Sequence, residues 1–259
     1  MFPLREVRLG LVPKLLCWRG ESLIRFASCV LCGDSKRLGA LAGKLGPILE
    51  KITDGNICNL EGVGILENPR FVLAHGPLKL KWAGGQIDFG RLRGPWRIGL
   101  EDILSADSIE ACSGRCVMIE NETTFHELAK LECGDLLIQT SYPGSATLAL
   151  LGRLGAGVDL WHFGDSDPDG FDILRDLRQR SGQRIRGLHM RFRATPRGPL
   201  LTVEERNKIG RGLLSPLLVE ERPELSRMLE AGHKGAFEQE NLGPPTLPHW
   251  PFYEDAPAK

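Results

Sequence analysis

The sequence predicts an α/β fold: a mainly parallel sheet with helices on both faces, joined to a helical N-terminal region and a small β segment. Three observations predict it. Between residues 116 and 182, strand-like apolar runs alternate with helix-like segments of about ten residues, as in parallel strands joined by crossover helices. The beginning of the chain shows apolar residues at helical spacing without that alternation. The stretch between these regions alternates apolar and polar residues on either side of Gly84-Gly85, which signals a hairpin.

Taken in order, residues 1–68 read as the helical region, carried by "SLIRFASCVL" and "RLGALAGKLGPILEKI" and followed by a turn at "TDGN". Residues 69–110 read as the small β segment. It holds "FVLAHG" and then a hairpin in which Leu78, Leu80 and Trp82 alternate with polar residues on the way into a Gly84-Gly85 turn and Ile87 and Phe89 do so on the way out of it. The core, 111–200, begins with "CVMIE" (116–120) as a buried strand, "TTFHELAKL" (123–131) as a helix and "DLLIQT" (135–140) as a strand. It continues with "GSATLALLGRLGAG" (144–157) as a helix, "VDLWHFGDSD" (158–167) as a strand and "GFDILRDLRQRSG" (170–182) as a helix. Residues 201–259 open with a capping box, Thr202 and Glu205, run on as helices to about Glu240 and end in a proline-rich tail.

Composition narrows the function. The 33 basic and 33 acidic residues balance, which argues against a protein that coats nucleic acid without specificity. Seven cysteines, no basic-then-apolar leader and no run of about 18 apolar residues predict a cytoplasmic protein with reduced thiols and no membrane association. Cys29 and Cys32, with Cys17 and Cys58, offer a zinc alternative, but the second pair lacks CxxC spacing.

The informative stretch is "WHFGDSDPDGFDIL", where Asp165, Asp167 and Asp169 fall at alternate positions beyond a strand. Like charges about 5 Å apart repel by roughly 3 kcal/mol at an effective dielectric near 20, so such a cluster calls for a cation or for water. In an α/β sheet ligands bind beyond the carboxyl ends of the parallel strands, and Glu120 ends another of them. Residues two apart on an extended segment share a face, so Asp165 and Asp167 are expected to point to one place opposite Glu120. Oxygen ligands of this kind suit Mg²⁺ or Mn²⁺. An EF-hand loop beginning at Asp165 is a weaker reading, because a strand precedes it and its twelfth position is Asp176. A polar turn capping the next helix is the plainest alternative. Downstream, eight arginines and a single acid lie between Ile173 and Leu200, either as a solvated face or as phosphate contacts. Arg175, Arg178, Arg191 and Arg193 are the candidates for DNA.

The order strand-Glu, helix, strand, helix, strand-DxD resembles the Toprim domain of topoisomerases, primases and several nucleases. "DSDPDGFDI" is similar to a stretch of the topoisomerase VI A subunit. More closely, "MIENETTF", "FGDSDPDGFDILRDLR" and "GAFEQEN" resemble the C-terminal domain of JetD, the nuclease subunit of the Wadjet plasmid-defence system, over roughly residues 60–245. The sequence departs from that family at Arg191, where an aspartate is expected after Met190, and in a shorter N-terminal region.

The resemblance implies a Mg²⁺-dependent DNA endonuclease in which Glu120, Asp165 and Asp167 hold the metal and serve catalysis. Asn121, Glu122, Asp169 and Gly170 flank the site, and the resemblance adds Glu238 and Glu240 as further acids. Glu120 acts as a ligand or as a general acid or base, roles the sequence does not separate. The expected partners are DNA and an SMC-like motor with kleisin and accessory subunits of a Wadjet-type complex; a homodimer is a further candidate assembly. Tyr142 and Tyr253 are the only tyrosines, and neither stands upstream of the core where a DNA-attacking tyrosine would be expected, so hydrolysis is favoured over transesterification. The alternatives are a non-catalytic Toprim subunit that binds DNA or serves a structural role, and another Toprim activity such as strand passage or primer synthesis.

Overall fold

The computed structural model describes residues 10–57, 59–66 and 70–242, so Cys58, Tyr253 and the proline-rich tail lie outside the described residues. The chain divides into two compact units, Met1–Arg70 and Phe71–Lys259. In the first, α1 (Val12–Leu16), α2 (Ile24–Cys32) and α3 (Arg37–Ile52) accompany two short parallel strands, β1 (Ser22–Leu23) and β2 (Ile65–Leu66). Leu15, Ala27, Leu38, Leu45 and Leu49 form its core, the inward stripe that the helical periodicity marks out. The turn expected at "TDGN" is present, with Asp54 and Gly55 both at positive φ.

The second unit holds a six-stranded sheet and a three-stranded one. Its strands and helices are β3 (Phe71–His75), β4 (Leu78–Trp82), β5 (Gly85–Asp88), β6 (Trp96–Gly99), α4 (Leu100–Ser105), β7 (Ser108–Ala111), β8 (Arg115–Ile119) and α5 (Glu122–Ala129). They continue as β9 (Leu136–Gln139), α6 (Ser145–Leu151), β10 (Asp159–Phe163), α7 (Pro168–Ser181), β11 (Ile185–Gly187), α8 (Val203–Leu214) and α9 (Arg222–Ala231). The large sheet has the order β11-β10-β8-β9-β3-β6, with β11, β10, β8 and β9 parallel and β3 and β6 antiparallel to their neighbours. The hairpin β4–β5 forms as its alternation requires, but its two-residue turn is Ala83-Gly84, one position before the expected Gly84-Gly85, because Gly85 already pairs with Trp82 as the first residue of β5; β7 completes the small sheet.

Side chains of β8 alternate between two cores. Cys116 and Met118 join α6 and α7 on one face, while Val117 and Ile119 join α5 on the other, so helices cover both faces. The segment 69–110 does not stand apart: β3 and β6 extend the main sheet, and only β4, β5 and β7 form a small sheet of their own.

Two boundaries near the acids differ from expectation. The strand expected to reach residue 167 stops at Phe163, and α7 begins at Pro168 instead of Gly170. The cause is local. Asp167 caps the helix through its carboxylate, and a proline is favoured at the first helical position because it lacks the N–H that would go unbonded there. Asp165 and Asp167 therefore do not share a face of an extended strand; Asp165 stands in the connecting loop and Asp167 at the helix cap. Arg191 and Arg193 lie in an irregular segment beyond β11.

Candidate functional site

The chain leaves β8 toward β9 on one side and leaves β10 toward β11 on the other, with α5 and α7 on opposite faces. The carboxyl ends of β8 and β10 therefore bound a topological switch point, the crevice where open α/β sheets bind ligands. Glu120 follows β8 there, and the "GDSD" loop follows β10. The two ends are joined directly: the Glu120 N–H donates to the Phe163 carbonyl at 3.1 Å, and the Asp165 N–H donates to Glu120 Oε2 at 3.1 Å. Gly164 sits between them. A Cβ there would come within 2.5 Å of His162 Nε2 and 3.0 Å of Glu120 Oε2, so glycine keeps the crevice open.

Asp165 is held from the other side by the segment after α9. Its Oδ1 accepts the Gln239 N–H at 3.1 Å, the Ser166 N–H donates to the Phe237 carbonyl at 2.7 Å, and the Gln239 side-chain amide donates to the Phe163 carbonyl. This strap brings Glu238 and Glu240 near enough to act electrostatically on Asp165, and Thr124 at the start of α5 donates to Glu240 at 3.4 Å. The three motifs, far apart along the chain, thus meet around one loop.

Charge in this crevice is incompletely balanced. Burial, opposed by the Asp165 amide and reinforced by Asp165, Asp167 and Asp169, pushes Glu120 up to about 7. Burial likewise pushes Asp165 up to about 6, with Asp167, Glu240 and Glu238 adding to it against the Gln239 amide. Neither carboxylate is paired with a cation among the described residues. Asp167 differs: Oδ1 accepts the Asp169 and Gly170 N–H groups at 2.9 Å each, and Oδ2 faces Lys234 Nζ at 3.2 Å. Asp169 pairs with Lys208. Gly170 is needed for space, because a Cβ there would overlap the Asp165 carbonyl.

The other expected residues separate. Asn121 caps α5, accepting the Thr123 and Thr124 N–H groups at 2.8 and 3.2 Å, while Glu122 is exposed and faces His126. Arg193 reaches Ser166 Oγ at 3.2 Å and the His189 carbonyl at 2.8 Å, and the Arg191 N–H donates to Ser166 Oγ at 3.1 Å, so both residues border the acidic loop. Arg175 is bound to Asp172 at 2.8 Å, and Asp172 also accepts the Tyr142 hydroxyl at 2.8 Å. Arg178 faces inward, forming a bidentate pair with Glu221 at 2.7 and 2.8 Å and donating to the Ile185 carbonyl at 2.7 Å.

Sequence reading missed Lys208, Lys234 and Gln239. Only "HKGAFEQE", which places a lysine and a glutamine beside the acids of a motif already singled out, carried a signal for the last two.

An oxygen-only donor set with uncompensated negative charge fits a hard divalent cation. One buried polar atom next to it lacks a hydrogen-bond partner among the described residues: Gln239 Oε1, an acceptor that a cation or its water would satisfy. The nearby His162 imidazole stays neutral, since burial and Arg178 lower its pKa to about 3. As the side chains stand, no three His, Cys, Asp or Glu residues among those described converge on one ion position. Glu120 and Asp165 are the acids in a position to begin such a site.

This arrangement defines a class: a mixed α/β protein with a carboxylate site at the switch point of its parallel strands. Residues 101–248 match the family model described as Wadjet protein JetD, C-terminal, and the chain belongs to that family. It is also 29% identical over 126 residues to the Wadjet protein JetD of Bacillus cereus (strain Q1). That match covers 46% of this chain and 31% of the relative, so the shared part is less than a third of the longer protein. No helix among the described residues is long and apolar enough to cross a membrane.

Proposed function

We infer that this chain is a Mg²⁺- or Mn²⁺-dependent DNA endonuclease of the JetD type, built on a Toprim-like core and hydrolysing phosphodiester bonds of plasmid DNA in a cytoplasmic defence system. The observation that carries the reading is the meeting of Glu120, the Asp165 loop and the Gln239 strap at the switch point between β8 and β10. Strand order supports the Toprim assignment, since β8 with its glutamate lies between β9 and the aspartate-bearing β10.

Glu120 and Asp165 would hold the ion, while Asp167, whose carboxylate already caps α7 and binds Lys234, would fix the loop beside them. A divalent ion bound there supplies Lewis-acid polarisation of the scissile phosphate and neutralises charge at the leaving oxygen. Glu120 would serve either as a ligand of the ion or, unligated, as a general acid or base, with its carboxyl raised to about 7 by burial. Arg191 and Arg193, which border the acidic loop, would hold phosphates flanking the cut, and Arg175 lies further along α7. Arg178 contributes through the fold, since its guanidinium is committed to Glu221. Tyr142 is a poor nucleophile: burial and its hydrogen bond to Asp172 both push its phenol pKa above the ordinary range. Hydrolysis is therefore preferred to a covalent tyrosyl link.

The chain would act with an SMC-like motor, kleisin and accessory subunits, and with a second copy of itself. A balanced net charge fits delivery by such partners better than tight binding alone. A second reading, a subunit that binds DNA without cutting it, draws support from the lysines that already neutralise Asp167 and Asp169. Incubating purified protein with circular plasmid and Mg²⁺ or Mn²⁺, alone and with those partners, separates the two. Metal-dependent linearisation that disappears in Glu120→Ala, Asp165→Ala and Asp167→Ala, with no protein attached to the ends, is the expected result. Equal cutting by all three variants would remove the site assignment.

A further inference from the structure

Asp167 differs from the other acids of the crevice in having both carboxylate oxygens engaged. Oδ1 receives two backbone N–H groups at the start of α7, and Oδ2 receives Lys234. Lys234 is not a loose surface chain. Glu205 holds the same ammonium at 2.6 Å, the Phe237 ring lies 5.0 Å from it, and the side chain is only 17% exposed. Glu205 is itself fixed, because its other oxygen accepts the Thr202 N–H at 2.8 Å in the capping box of α8. The backbone is pinned as well: the Lys234 N–H donates to the Pro199 carbonyl at 2.9 Å, His233 bridges to Leu200, and Gly235, at positive φ, packs against the Arg193 carbonyl too closely for any side chain. A cation approaching Asp167 would have to displace a charge anchored at both ends. Glu120 and Asp165, by contrast, accept only backbone amides.

We propose that Lys234 is a built-in counter-cation for Asp167, so that the acidic crevice takes a single divalent ion, on the side of Glu120 and Asp165, with the ammonium standing where a second ion would otherwise bind. The inference rests on the metal-site reading above and adds to it the number of ions and the group that replaces the missing one. A lysine in this place carries one positive charge that does not exchange with solvent ions. Its remaining N–H is available to a phosphate oxygen of DNA lying across the crevice. Paired-ion sites instead clamp the attacking and leaving oxygens between two metals.

Counting bound Mn²⁺ tests this without relying on activity. Metal-stripped protein is titrated with Mn²⁺ by calorimetry and by the electron-spin signal of the free ion, for the unmodified chain, Lys234→Arg and Lys234→Met. One ion per chain is expected for the first two. Lys234→Met, which keeps an apolar chain over Phe237, should bind a second ion or hold the first about tenfold more tightly or better, as removal of a neighbouring positive charge requires. Two ions in the unmodified chain, or a folded Lys234→Met with unchanged count and affinity, would overturn the proposal and leave the metal-site reading standing. Absence of binding in all three forms would remove both. If Lys234→Met unfolds, Lys234→Gln supplies the same comparison, and two ions in the unmodified chain overturn the proposal without it.

Discussion

Glu120 and Asp165 take up protons at higher pH in the folded chain than in the unfolded one, because burial and neighbouring acids disfavour their charge. Groups raised in this way stabilise the fold at low pH, and that contribution is lost as pH rises through their folded values of about 7 and about 6. Glu120→Gln, which keeps the acceptor for the Asp165 N–H, should therefore melt at higher temperature than the unmodified metal-free chain at about pH 8, with the gap closing by about pH 4. A gap that does not vary with pH would show that Glu120 ionises normally. His162 works in the opposite sense. Its pKa, lowered to about 3, makes the fold less stable as pH falls below the ordinary histidine range. Asp167 gives a contrast within the same loop. Asp167→Ala should lower stability by at least about 1 kcal/mol, since it removes the cap of α7 and also leaves Lys234 with one fewer partner. Asp165→Ala, which removes a half-buried carboxylate with no cationic partner among the described residues, should leave stability unchanged or raise it, and thermal unfolding of the two variants distinguishes them.

At the scale of elements, the strands and helices of the core were legible because their apolar spacing is unambiguous and each buries one defined face. The ends of β10 and α7 were not, since "GDSDP" satisfies both an extended strand and a capped helix, and only the hydrogen bonds of Asp167 decide. Glu120, Asp165 and Asp167 stood out as acids next to apolar strands. Lys234 and Gln239 did not, because their place depends on a strap that crosses back from beyond α9, a long-range contact with no local pattern. Arg178 shows the same limit in reverse: within a run of arginines nothing distinguishes the one that turns inward to Glu221 beneath the edge strand β11. Arg178→Ala should cost about 3 to 5 kcal/mol by leaving Glu221 buried and unpaired, measurable by urea denaturation. An exposed DNA contact would show almost no change. Gly170→Ala should destabilise by about 1 to 3 kcal/mol and displace the Asp165 loop, since the overlap is with backbone and a side-chain rotation cannot relieve it.

For the whole molecule, equal numbers of acids and bases mean that the proposed DNA binding would rest on the local arginines and lysines around the crevice. Each phosphate contact adds about 0.9 to the slope of log affinity against log salt, so Arg191→Gln with Arg193→Gln should reduce that slope by roughly 1 to 2 while leaving Mn²⁺ binding intact. Unchanged affinity in this double variant would return the arginine segment to a solvated surface. The division at Arg70 leads to a further expectation: a fragment beginning at Phe71 should unfold in one cooperative step and bind Mn²⁺ as the whole chain does under the proposed reading, since every acid and lysine of the crevice belongs to that unit. The strap over Asp165 also sets an order of events during synthesis. A ribosome that has released the chain as far as Ala231 has already delivered Glu120 and all three aspartates, yet Lys234, Phe237 and Gln239 are still to come. The strap follows the two acidic loops, so a nascent chain of that length carries Glu120 and the three aspartates without Lys234 and Gln239 to secure them.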